Sequence, residues 1–120
     1  MPQPLFIEYP KCTTCQKARA WLEAQDRPFA TRHIKESRPT REELERWWKA
    51  SGLPLKRFFN TSGLLYKSLG LAQKLPAMSE AEQLDLLASD GMLVKRPLLV
   101  TEKGVLPGFK PELWQALLAD

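Results

Sequence analysis

The chain has 120 residues, 43% hydrophobic and 27% charged, ordinary globular proportions that exclude a disordered or fibrous chain and suffice for a single domain over residues 1–120. Eighteen Lys and Arg against fourteen Asp and Glu give +4, but the basic residues are scattered without interleaved aromatics. That pattern fits a solvated surface and small anionic ligands, not direct nucleic-acid binding. No apolar run approaches the roughly 18 residues of a spanning helix, and the opening MPQPLFIEYP has no basic n-region, so no membrane association and a cytoplasmic location are expected.

PLFIEY carries β-favouring Phe6, Ile7 and Tyr9 and is predicted to be the first strand. From Thr13 the pattern turns helical, with Ala18, Trp21 and Leu22 at i, i+3 and i+4, until Asp26-Arg27-Pro28 stops it. PFATRHIKE alternates as a short second strand, and parallel pairing with the first would complete a right-handed β-α-β unit. Thr40 and Glu43 form a capping box ahead of Leu44, Trp47 and Trp48, and Gly52 ends that helix. After the polar turn Asn60-Thr61-Ser62-Gly63, one short helix is expected from Leu64 to Leu69. Ser79 and Glu82 form a second capping box before Leu84, Leu86 and Leu87, and Asp90-Gly91 closes that helix. MLVKRPLLVTEKGVLPGF holds two apolar runs around Glu102-Lys103-Gly104, a β-hairpin, and Pro111-Glu112 open a last helix expected to pack Leu113, Trp114, Leu117 and Leu118 on the sheet. The order is β-α-β, helical insert, β-β-α: an α/β fold with a mixed four-stranded sheet and a helical insertion between the second and third strands.

The two cysteines, Cys12 and Cys15, stand in one helical turn of KCTTCQKARAWL. In a reducing compartment a structural disulfide is disfavoured, which leaves redox or metal chemistry. Structural zinc wants four Cys or His ligands, and beyond the pair the chain offers only His33, which falls inside the second strand pattern, so no metal site is assigned. Inert packing as two small hydrophobes is the bland alternative, poorly matched to the polar neighbours Lys11, Thr13, Thr14 and Gln16. Redox chemistry fits the position. A cysteine between strand and helix sits beside free backbone N–H groups and the positive end of the helix dipole, which favour thiolate. Cys12 is therefore the expected nucleophile, helped by Lys11 and the hydroxyls of Thr13 and Thr14. Cys15, on the same helical face, is the expected resolving thiol.

Lys95-Arg96-Pro97 is the second informative stretch. The topology carries this loop to the end of the first strand, so Pro97 is expected in the cis form opposite Cys12, with Arg96 directed at the thiolate and able to hold an oxyanion. A surface arginine before an edge-strand proline is the alternative. Asn60 and its polar neighbours could reach the mouth of such a site. Trp21, Trp47, Trp48 and Trp114 lie at helix positions and are expected to pack rather than to stack on ligands.

The stretch Tyr9–Leu22, FFNTSG at Phe58–Gly63, SDGMLVKRPLLV at Ser89–Val100 and VLPGF at Val105–Phe109 resemble the arsenate reductase-like family that includes the Spx regulators. The resemblance covers nearly the whole chain and implies a thioredoxin-like fold. It implies an arsenate-attacking thiolate at Cys12, with electrons from glutathione and glutaredoxin, or thioredoxin. The family's anion-binding arginines carry over at Arg96, while Asn60 and Lys110 occupy the other two positions. It also implies, for the Spx type, a C-x-x-C redox switch that binds the RNA polymerase α-subunit. The reading is a thiol–disulfide oxidoreductase with no bound cofactor, acting on a small oxyanion or disulfide and served by a thiol donor protein. Lys11, Thr13, Thr14, Asn60, Arg96 and Pro97 would contact substrate. The alternative is an Spx-type redox regulator.

Overall fold

The computed structural model describes residues 3–119. Four strands, β1 (Leu5–Glu8), β2 (Ala30–His33), β3 (Leu98–Thr101) and β4 (Gly104–Pro107), form a mixed sheet in the order β2-β1-β3-β4. β1 runs parallel to β2 and antiparallel to β3, with Ile7 opposite Leu98 and Phe6 opposite Leu99. Side chains alternate across a strand, so these two rows feed opposite faces of the sheet. Phe6 and Leu99 pack with Ala18 and Leu22 of α1 (Thr13–Ala24) and with the fully buried Trp114 of α6 (Pro111–Leu118). Ile7 and Leu98 pack on the other face against the insert, which includes α2 (Arg41–Ser51) and, later in the chain, α5 (Glu80–Ser89). This is the thioredoxin-like arrangement with a helical insertion that the sequence implies.

Local signals act where they are written. Thr40 and Ser79 each accept a hydrogen bond from the backbone N–H three residues on, while Glu43 and Glu82 reach back, so both capping boxes are complete. Gly52 closes α2 at φ +69°, a left-handed conformation that suits glycine. The middle of the insert differs from expectation. The helix expected from Leu64 to Leu69 is present as α3 (Leu64–Ser68) with Leu69 as its C-cap, but α4 (Leu71–Lys74), a 3-10 turn at Leu75–Ala77 and another at Leu55–Phe58 join it unannounced. Gly70, at φ +66°, breaks the run. The apolar run from Met92 is not yet strand: Asp90 caps a 3-10 turn at Gly91–Leu93, and Val94 pairs with Phe59 in an isolated bridge. Leu113 is 48% exposed, because Trp114 and Leu117 take the inner face of α6.

Candidate active site

β1 delivers the chain to a tight turn in which the Cys12 N–H donates to the Tyr9 carbonyl at 2.9 Å, and Cys12 becomes the N-cap of α1. Its own carbonyl accepts the first helical hydrogen bond, from Gln16 at 3.0 Å. An N-cap residue stands beside the unpaired N–H groups of the first turn. Cys12 holds that position without a side-chain capping hydrogen bond of regular geometry, and its sulfur lies within the influence of those groups. Burial alone would push the half-buried Cys12 thiol up. The backbone N–H of Cys15, the Cys15 thiol, the backbone N–H of Thr14 and the Arg96 guanidinium outweigh it and hold Cys12 below the ordinary thiol value. Cys15 is its opposite. It is fully buried, and burial pushes its thiol up to about 12; the Tyr9 N–H donating to its sulfur at 3.5 Å works against that, while the hydrogen bond to Cys12 and the Cys12 charge add to it. Both cysteines are free thiols.

Cys12 opens onto a cleft of about 420 Å³ between the start of α1, the insert and the loop after β4. Thr14, Asn60 and Arg96 line it with Cys12, so the structure brings these four expected residues together. Arg96 stacks on the Tyr9 ring, 5.1 Å from its centre, and its buried Nε donates to no protein acceptor among the described residues. Lys11 and Thr13 are exposed and do not line the cleft. Pro97 is buried just outside the lining; the Arg96–Pro97 bond is cis, and the Pro97 carbonyl accepts from Gly108 N–H at 2.8 Å. His33 is half-buried at the edge strand, with its Nδ1 accepting from the N–H groups of Lys35 and Glu36, and takes no part in the cleft.

Arg57 also lines the cleft, a residue the sequence did not single out; Lys95 and Lys110 join it. No sequence signal marks Arg57: it sits in the 3-10 turn Leu55–Phe58, which ends before Asn60, and only tertiary packing brings it to the cleft. The lining therefore carries four cations and no carboxylate. Among the described residues no three His, Cys, Asp or Glu side chains converge to hold a metal ion, and no helix is long and apolar enough to cross a membrane.

Sheet order, insertion and a cysteine pair at the head of α1 define a thioredoxin-like protein. The chain belongs to the ArsC family, which it matches over residues 7–117. It is similar to the uncharacterized protein YusI of Bacillus subtilis (52% identity; 92% of this chain and 93% of that protein covered) and to the global transcriptional regulator Spx of Streptococcus pneumoniae (30%; 95% and 84%). Among solved structures it resembles an ArsC family related protein from Bacteroides fragilis (56% identity, TM-score 0.93, 96% and 97% covered). It also resembles an arsenate reductase from Vibrio cholerae (25%, TM-score 0.86, 98% of each chain).

Proposed function

We propose that the protein is a cytoplasmic thiol–disulfide oxidoreductase in which Cys12 attacks and Cys15 resolves. The observation that carries this reading is the asymmetry of the pair: one thiol lowered and open to the cleft, the other buried and raised to about 12. Membership of the ArsC family and the likeness to an arsenate reductase support thiol chemistry in general. The Cys12 thiolate attacks one sulfur of the substrate disulfide, and the other sulfur leaves as a thiolate. Burial is the main hold on the Cys15 proton, and while Cys12 is charged its hydrogen bond and charge add to it. Once Cys12 is part of a mixed disulfide those two additions vanish and burial remains, so the proton leaves only as Cys15 attacks and passes to the departing sulfur. Attack of Cys15 on the Cys12 sulfur releases the second product thiol. A thiol donor such as glutathione with glutaredoxin, or thioredoxin, returns the Cys12–Cys15 disulfide to dithiol. Arg96 and Asn60 face the substrate, and the flanking Lys11, Thr13 and Pro97 act by shaping the turn and wall beside it.

Turnover of a small disulfide with a thiol donor tests this reading. Cys12→Ser is expected to abolish turnover, and Cys15→Ser to stall with the substrate's thiol bound to Cys12, seen by mass spectrometry. Adduct on Cys15 in the wild type, or turnover surviving Cys12→Ser, rules the assignment out. The similarity to Spx favours a second reading, a redox-sensing regulator that binds the RNA polymerase α-subunit. Capture of that subunit by the oxidised but not the reduced protein, with no turnover, would select it.

A further inference from the structure

Arg57, Lys95, Arg96 and Lys110 line the cleft with Cys12, and none of them makes an ion pair among the described residues. Arg19 with Glu8, Arg32 with Glu43, Arg41 with Glu45 and Asp85, and Lys49 with Glu45 show the pairing that cations make where a carboxylate is within reach. What sets the cleft apart is that its four cations converge on one concavity with no carboxylate in its lining. Four uncompensated like charges in one concavity repel each other and concentrate an anion there. A neutral disulfide has no use for them. The site thus joins two recognitions, a dithiol built for sulfur–sulfur exchange and a cradle for a compact anion with several oxygens.

The leaving group adds a third constraint. No Asp, Glu or His lines the cleft, so no side chain of ordinary acidity stands ready to protonate a departing hydroxide or alkoxide. The best-suited leaving group departs as a stable anion without a proton and is itself an oxyanion. Sulfite is such a group.

We propose that this cleft takes S-sulfonates, R–S–SO3−, thiols capped by a sulfite, with the sulfonate held among the cations of the cleft and the divalent sulfur presented to Cys12. The proposal rests on the dithiol reading above. Cys12 thiolate attacks the divalent sulfur; the S–SO3 bond breaks and its electron pair leaves with sulfite, so that Cys12–S− and R–S–SO3− become Cys12–S–S–R and SO3(2−). Cys15 then attacks the Cys12 sulfur, its proton passing to the released R–S−, and a thiol donor reduces the Cys12–Cys15 disulfide. The net change reduces one S-sulfonate to a thiol and sulfite at the expense of two donor thiols.

The full-length Cys15→Ser protein and a matched pair of probes test it: 2-hydroxyethyl S-sulfonate and bis(2-hydroxyethyl) disulfide. Both place the same group on Cys12 and differ in what leaves. Rates of adduct formation are read by mass spectrometry and sulfite release is measured directly, with free N-acetylcysteine as the reference for intrinsic reactivity. The S-sulfonate-to-disulfide rate ratio is expected to exceed that of N-acetylcysteine by about tenfold or more, in the range of electrostatic concentration in a charged cleft. It should fall toward the reference in an Arg57→Ala/Lys110→Ala double variant, whose two sites are exposed, and with added salt. A ratio at or below the reference, or one unmoved by the double variant, overturns the S-sulfonate assignment and leaves the dithiol reading standing. If neither probe modifies Cys12, the dithiol reading fails and takes the proposal with it.

Discussion

Glu43→Gln isolates one charge at the crossover from β2 to α2. The Glu43 carboxylate accepts from Arg32 Nη1 and Nη2 at 2.6 and 2.8 Å and from the Thr40 N–H at 2.9 Å. Arg32 also donates to the Ser37 and Arg38 carbonyls and lies 5.9 Å from the Trp47 ring, and both side chains of the pair are 22% exposed. The Arg32 hydrogen bonds hold Glu43 at about 2 against the opposing effect of burial. A carboxylate lowered on folding stabilises the native state above its unfolded value of about 4.3 and loses that contribution as pH falls toward the folded value. The difference of about 2.3 pH units corresponds to roughly 3 kcal/mol at neutral pH and to about half of that at pH 3. Glutamine at N3 keeps the capping box. The substitution is therefore expected to lower unfolding stability at pH 7 by about 2–3 kcal/mol, or Tm by about 10 °C for a chain of this size. Urea unfolding of both proteins between pH 7 and pH 3 measures it. A gap below about 0.5 kcal/mol at pH 7, or one that does not narrow toward pH 3, refutes the reasoning.

Arg96→Leu removes the guanidinium that favours the Cys12 thiolate, so the pH of half-maximal iodoacetamide labelling of Cys12 is expected to rise; an unshifted labelling curve contradicts this. Gly91→Ala would set a Cβ 1.9 Å from the Ile34 carbonyl oxygen, a backbone clash expected to destabilise by about 3 kcal/mol or more in chemical denaturation; near wild-type stability is the contrary result. Trp114→Ala empties the centre of the α1–α6 face and removes the indole N–H donated to the Gly108 carbonyl at 2.8 Å. A loss of about 3–5 kcal/mol is expected, measured the same way.

Much of this architecture is written locally. The β-α-β start follows from apolar alternation and a helical period with clear stops, and both capping boxes announce their helices three residues at a time. The insert between Gly52 and Ser79 was less legible because its pieces are too short to display a 3.6-residue period: a four-residue helix at Leu71–Lys74 and 3-10 turns leave no stripe to read. The site divides the same way. Cys12, Cys15 and Arg96 stand in motifs whose position in the topology suggests their place. Arg57 reaches the cleft through tertiary packing of a 3-10 turn, and nothing in Leu55–Phe58 distinguishes it from a surface arginine. Leu113 shows the converse: beside Trp114 it looked like core, yet one residue is 100° of helix, enough to turn it into water.

The bridge between Phe59 and Val94 has a consequence for how ligands enter. Asn60 N–H donates to Leu93 and Lys95 N–H to Phe58, both at 2.8 Å, so Asn60 of the insert and Arg96 of the strand loop belong to one stiff body. The opposite wall is fastened too, by Gly108 N–H to Pro97 and by the Trp114 indole to Gly108, each at 2.8 Å. Main-chain ties on both sides leave little for a visiting molecule to organise, so the entropy of arranging the cleft was spent at folding rather than at each encounter. Capture should then follow diffusion and ionic strength instead of a lid's opening rate, and a poorly shaped visitor is rejected by rigidity.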